Sequence, residues 1–289
     1  MHPATAARAA TDYAGRRAAL LTQHGKERVV APVLRDAVGC FVERVDGYDT
    51  DRLGTFTREV PREGTQLDAA RRKARIGMDL SGLPLGVASE GSFGADPVAG
   101  MLVWNREVVL WRDDERDLEV IGFAQGPGAF VNLLVDEWQQ VVELAEQACF
   151  PAHALVVRPD GADGAPIRKG IVDWPELQDA FARAQRQSPQ RLVFVETDVR
   201  AHVNPTRMRM IERATRDLAE RLGRRCPTCA MPGYGAVATV AGLCCRECGA
   251  PTAEPRADVF ACPACDHRVT LERPAASGAD PTFCERCNP

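Results

Sequence analysis

Apolar residues recur in this chain with two alternating periods, and the alternation sets out the elements. Arg17 to Thr22 is a short apolar strand, Glu27 to Val38 a helical segment, and Cys40 to Val45 a second strand. Leu67, Ala70, Ala74 and Met78 lie three and four apart, one face of a helix that Ser81-Gly82 and Pro84 end. Leu85 to Ala88 then reads as a short buried strand delivering Glu90 at its carboxyl end, ahead of a loop containing Gly91, Ser92 and Gly94. Leu102 to Trp111 and Leu118 to Phe123 pair as a hairpin around Asp113-Asp114-Glu115. Val131 to Gln147 reads as one amphipathic helix, Leu155 to Val157 as a strand and Trp174 to Gln185 as a helix. Arg191 to Glu196 is a buried strand, and a long helix runs from about Thr206 to Leu222.

Strands alternating with helices predict an α/β fold with a mixed, mostly parallel sheet and helices on both faces. A small cysteine-rich module follows it. The expected organisation is a disordered leader over 1–14, an α/β domain over 15–223, and a tandem zinc-ribbon domain over 224–289.

In such sheets ligands bind beyond the carboxyl ends of the strands. Three predicted strand ends carry suitable chemistry: Thr22-x-His24-x-Lys26 at a helix start, Glu90 with Ser92, and Glu196-Thr197-Asp198-x-Arg200 leading to Asn204-Pro205-Thr206-Arg207. Thr22, His24, Lys26, Ser92, Arg200, Asn204 and Arg207 are the candidate phosphate contacts, and Glu90, Lys73 and Asp198 the candidate catalytic groups. A Mg²⁺ ion would sit on Glu90, with Asp68 or Glu59. Each group also has a plain structural reading. His24 can be a loop histidine, Asn204 or Thr206 a helix cap, and Glu196 and Asp198 can pair with Arg200 or Arg207.

Composition sharpens this picture at one point. Of 36 basic residues only Lys26, Lys73 and Lys169 are lysine. In so arginine-biased a chain, a retained lysine marks a place where a compact ammonium suits better than a planar fork. The net charge of −4 and a pI near 5.8 argue against nucleic acid as a partner. No apolar run is long enough to span a membrane, and the N-terminal stretch lacks a secretory core, so the expected compartment is the cytoplasm.

Nine of the eleven cysteines lie between Cys226 and Cys287; Cys40 and Cys149 read as small core hydrophobes. Cys226-x-x-Cys229 precedes Cys245-x-x-Cys248 by fifteen residues, and Cys262-x-x-Cys265 precedes Cys284-x-x-Cys287 by eighteen. Both fit the four-thiolate zinc pattern, so two structural zinc ions are expected, with Cys244 spare. Sequential pairing of the four knuckles is the expectation, and an interleaved arrangement satisfies the same spacings. Seven arginines balance seven acids from Arg224 onward, which favours a protein partner over nucleic acid for this tail.

The segments ASEGSFG and VETDVRAHVNPTRM and the closing CNP resemble an uncharacterised bacterial family of unknown function, along nearly the whole chain from Tyr13. More distantly, Glu63-Gly64-Thr65, Lys73-Ala74, Ser81-Gly82-Leu83-Pro84 and Ala88-Ser89-Glu90 resemble the inosine/xanthosine triphosphate pyrophosphatase superfamily. The T-x-H-x-K segment is similar to that superfamily's T-x-N-x-x-K nucleotide loop. The second resemblance implies a cleft, Mg²⁺, and cleavage between the α- and β-phosphates of a nucleoside triphosphate. It departs at His24 (an asparagine there), at Lys26 (one position nearer) and at Glu90, a single acid where two are frequent. The expected function is therefore Mg²⁺-dependent hydrolysis of a nucleoside triphosphate or related phosphate compound. The alternative is a non-catalytic nucleotide- or protein-binding module docking through its zinc ribbons.

Overall fold

The computed structural model describes residues 11–289 except 58, 62, 97–99 and 275–277. Most of the expected leader lies outside the described residues. The first unit is a five-stranded sheet in the order β2-β1-β3-β4-β5, formed by β1 (Arg17–Leu21), β2 (Phe41–Val45), β3 (Leu85–Ala95), β4 (Val103–Asp113) and β5 (Leu118–Pro127). Helix α2 (Gln66–Ser81) covers one face through Ala70 and Ala74, which meet Ala88 and Leu110. Helices α1 (Glu27–Val38) and α5 (Pro205–Leu222) cover the other, where Leu34, Ile211 and Leu218 close over Val87, Val109 and Trp111. Two glycines let these layers approach. A Cβ at Gly122 would lie 2.3 Å from the Ala214 carbonyl of α5, and one at Gly86 would lie 2.6 Å from the Met78 sulfur of α2.

A second sheet, in the order β6-β9-β7-β8, has its own core. It comprises β6 (Asn132–Val135), β7 (Leu155–Pro159), β8 (Arg168–Ile171) and β9 (Val193–Thr197), with α3 (Trp138–Gln147) and α4 (Trp174–Gln187) on one face. Leu155, Val157, Val193 and Val195 point into that core with Val141, Leu177 and Phe181. Side chains alternate along a strand, so Arg158 and Glu196 belong to the opposite face.

The expected mostly parallel sheet is corrected on two counts. Among the described residues two sheets precede the cysteine-rich module, and of their strands only β1–β2 and β1–β3 pair in parallel. The long β3-β4-β5 meander and all of the second sheet are antiparallel. Helix-length connections follow β1 and β2, and the parallel part is the β2-β1-β3 stretch that they join. The stretch from Val131 to Gln147 is also not one helix. Asp136-Glu137 interrupts it, and Glu137 with Gln140 makes a capping box that starts α3 at Trp138.

The cysteine-rich module carries a three-stranded antiparallel sheet, β10 (Gly235–Ala241), β11 (Pro255–Ala261) and β12 (Arg268–Glu272). It rests on the end of α5, where Arg221 donates to the Ala236 carbonyl and accepts from the Gly233 amide through its own carbonyl.

Candidate functional site

Two separate centres are built into this scaffold. In the module, Cys226, Cys229, Cys262 and Cys265 form one group, and Cys245, Cys248, Cys284 and Cys287 another; the sulfurs of each lie within 4.8 Å of one another. Knuckle one therefore joins knuckle three, and two joins four: the interleaved arrangement, correcting the sequential expectation. The strands explain the choice. Antiparallel β10 and β11 bring Gly235 opposite Ala261, which places the Cys226 and Cys262 knuckles at one end of the sheet. Closest sulfur pairs are 3.5–3.9 Å apart. A metal–sulfur length of about 2.3 Å puts tetrahedral ligands about 3.8 Å apart, and a disulfide needs about 2.05 Å. The groups thus fit a four-coordinate metal ion and are not disulfides. Cys244 is exposed and belongs to neither group; Cys149 is exposed as well, against the expected core position, while Cys40 is buried.

The second centre lies between the two sheets. The turn after β1, the middle of β3, the carboxyl end of β9 and the start of α5 converge on it, and the 51–57 loop closes it. His24, Lys26, Lys73, Glu90, Lys169, Glu196, Asp198, Arg200 and Arg207 all line a cavity of about 40 Å³. On that measure a water needs roughly 10–15 Å³, so the closed cavity holds about three.

All three lysines of the chain line this one cavity. Lys73, carried by α2, forms an ion pair with Glu90 in which both side chains are largely buried. Glu90 sits in the middle of β3 opposite Val108, not at a strand end as the glycines implied. Those glycines are packing allowances within a strand. A Cβ at Gly91 would lie 2.2 Å from the carboxylate of Glu107 and 2.6 Å from the guanidinium of Arg207. Lys26 is 6% exposed and donates to the Ser89 carbonyl at 2.5 Å. Burial pulls its pKa down to about 7, offset in part by Glu90. Lys169 pairs with Glu59, which lies just after the closing loop.

The acids are equally engaged. Glu196 pairs with fully buried Arg158. Asp198 holds Arg200 at 2.6 Å and accepts from the Gly170 amide at 3.1 Å. Arg207, 2% exposed, donates to Glu107 at 2.8 Å and to the Val199 carbonyl at 2.6 Å, and Phe56 covers its guanidinium at 4.4 Å. Burial and the neighbouring Lys26 hold His24 down at about 3, so it is a neutral imidazole, stacked on His202.

Several expected site residues have other work. Asn204 caps α5 through the Arg207 amide, Ser92 donates to Gln66, and Thr22 accepts from the His24 amide. Asp68 completes a capping box with Thr65 at the start of α2 and does not line the cavity. Sequence reasoning did not assign Lys169, Arg158, Phe56 or Phe130 to the site. For Lys169 the signal was present in its rarity; the others come from a strand face and loops whose position only the second sheet sets.

Residues 73–289, three quarters of the chain, match the family described as Domain of unknown function (DUF6671). The chain belongs to that family. No curated protein and no solved structure matches it. The DUF6671 region holds both cysteine groups, Lys73, Lys169, Glu90, Glu107, Glu196 and Asp198, while Glu59 and Asp68 precede it. Lys26 and His24 reach the cavity from the segment that precedes it. Among the described residues no helix is long and apolar enough to cross a membrane.

Proposed function

We propose that the inter-sheet cleft binds a phosphate compound, a nucleoside triphosphate or a related anhydride, and hydrolyses it with Mg²⁺. The observation that carries this reading is the convergence of Lys26, Lys73 and Lys169, the chain's only lysines, on one cavity that also holds Glu90, Glu196 and Asp198. Compact cations neutralise phosphate oxygens, and carboxylates beside them suit a metal–phosphate pair better than a bare anion.

Mg²⁺ is commonly held by one or two carboxylates together with the substrate's phosphates. Glu90 and Glu196, two carboxylates that line the cavity, fit that set. When bound, the ion polarises the phosphoryl group and acidifies an attacking water. The protein's own groups do the rest. Lys26 and Lys73 stabilise the charge that builds on the phosphate oxygens, and Glu90, released from Lys73, accepts a proton from water. Asp198 aims Arg200, and neutral His24 offers one N–H donor. Phe56 and Phe130 give the cavity an aromatic wall for an organic group, and the 51–57 loop excludes solvent.

Binding a nucleotide requires that loop to withdraw, since sites for such ligands occupy roughly 300 Å³ or more. Incubating the chain with nucleoside triphosphates and Mg²⁺ and measuring pyrophosphate release tests the reading. No release from any of them, with a folded, metal-loaded protein, rejects hydrolysis.

For the module we propose two structural Zn²⁺ ions, the ion that four thiolates in tetrahedral spacing select. Val237 of β10, Leu271 of β12 and Phe283 are each about half exposed, which supports a protein partner there as a second role.

A further inference from the structure

Each cation lining the cleft has a carboxylate in contact except Lys26. Among the described residues, Lys73 has Glu90, Lys169 has Glu59, Arg200 has Asp198 and Arg207 has Glu107. Lys26 has only the Ser89 carbonyl, which accepts a hydrogen bond from an amine and an ammonium alike and so fixes no charge. It is nevertheless only 6% exposed, lines the cavity, and stands at the N-cap of α1, where the positive end of the helix dipole favours an anion.

The charged groups around its ammonium come from every packed element: Glu90 of β3, Glu107 of β4, Lys73 of α2 and Arg207 of α5. Neutral His24 adjoins it in its own loop. Two acids against two cations leave the cost of burial uncompensated.

We propose that Lys26 is the anchoring charge of an anion subsite and that the ligand itself is its counter-ion, so binding takes up one proton from solvent. This rests on the phosphate reading of the same cleft. The balance is one amine, one proton and one dianion giving one ammonium–dianion pair, with no bond to phosphorus. The subsite therefore selects ligands that keep full negative charge beside α1, such as phosphates, over neutral or weakly ionised analogues.

The sign follows from the free site. Burial leaves Lys26 half-protonated near pH 7, and a bound anion restores it towards its ordinary value. Affinity is then highest below pH 7 and falls by roughly tenfold per pH unit above it, until the pKa of the complex is reached. His24, held at about 3, contributes no change across this range.

Sulfate is the probe, since it carries no exchangeable proton between pH 6 and 9. Calorimetric titration of the metal-loaded full chain at pH 8, in two buffers of different ionisation enthalpy, should show uptake of about 0.9 proton per sulfate. Lys26→Met should abolish this binding. Lys26→Arg, charged throughout, should retain it and flatten the pH profile. The proton count on the unaltered chain tests the point without any substitution. Sulfate binding without proton uptake, or undiminished binding by Lys26→Met, overturns the Lys26 assignment and leaves the phosphate reading standing. A covalent phosphorus–nitrogen adduct on Lys26 after incubation with a nucleoside triphosphate also overturns it, in favour of a nucleophile. Failure of sulfate and of nucleoside triphosphates alike to bind removes both.

Discussion

The inter-sheet cleft and the cysteine module both gather like charges into a small volume, and they solve the problem differently. The cleft interleaves cations with acids: Lys73 with Glu90, Arg158 with Glu196, Arg200 with Asp198, Arg207 with Glu107. It stands on two hydrophobic cores, one under each sheet, built from the protein's own side chains. The module has four sulfurs in each group with no cation among them, and neighbouring Cys248 and burial push the Cys287 thiol up to about 12. Its strands β10 and β12 are mostly exposed. Charge balance is therefore supplied by side chains in one region and by an ion in the other. One centre should survive being emptied, and the other should not.

Four experiments bear on that contrast, in falling order of effect. Stripping metal with a chelator should unfold the module and leave the two sheets folded. Structural zinc contributes about 10–16 kcal/mol in small domains, more than this sheet can replace. Hydrogen exchange should show lost protection over 226–287 only, and metal analysis of the intact chain should give two zinc ions. Protection retained in the metal-free chain would end the comparison.

Glu90→Gln keeps the size of the side chain and removes its charge. It should cut turnover by on the order of 10²–10³, about 3–4 kcal/mol of barrier, and also lower the melting temperature, because Lys73 is left buried beside a neutral amide. Full activity would remove Glu90 from the chemistry.

Lys26→Met should stabilise the unliganded protein by about 2–5 kcal/mol at pH 7, read from denaturant unfolding. The unfolded lysine keeps its proton up to its ordinary value of 10.5, and the folded one loses it near 7. The parent chain therefore gains stability as pH rises from about 7 towards 10.5. The advantage of the variant is complete below 7 and shrinks across that window. No gain at pH 7 would mean that the buried amine carries no strain.

The smallest effect belongs to Lys169→Met. Its partner Glu59 is 43% exposed, so the pair is worth under about 1 kcal/mol. Global stability should barely move, while limited proteolysis within residues 51–57 should quicken a few-fold.

How much of this could be read from sequence varied with how locally each feature is encoded. Metal ligands followed from the spacing of Cys226-x-x-Cys229 and its three counterparts, since a knuckle is a local object. Their pairing did not, because it is set by β10 and β11, which the same spacings leave free to join either way. The helix α2 and its Lys73 were legible from periodicity, and Glu90 was singled out for a wrong reason. Its glycines mark the close approach of Glu107 and Arg207 across a continuous strand, a tertiary fact. Val131 to Gln147 read as one helix because its apolar spacing hides the break at Asp136-Glu137. The second sheet was missed with it, and so was the face that carries Arg158. Lys169 had been marked by composition alone; only that sheet brings it to Lys26 and Lys73.

The closing loop carries a kinetic consequence. Phe56 lies on Arg207, the Thr57 carbonyl accepts from Arg158, and Glu59 just after the loop holds Lys169. These ties reach α5, β7 and β8, so the loop cannot swing from one side only; every passage of ligand must break contacts to both sheets. A catalytic cycle through this cleft would then be clocked by the door rather than by bond cleavage. Its steady-state rate would track solvent viscosity, and product would accumulate on the protein in the first turnover.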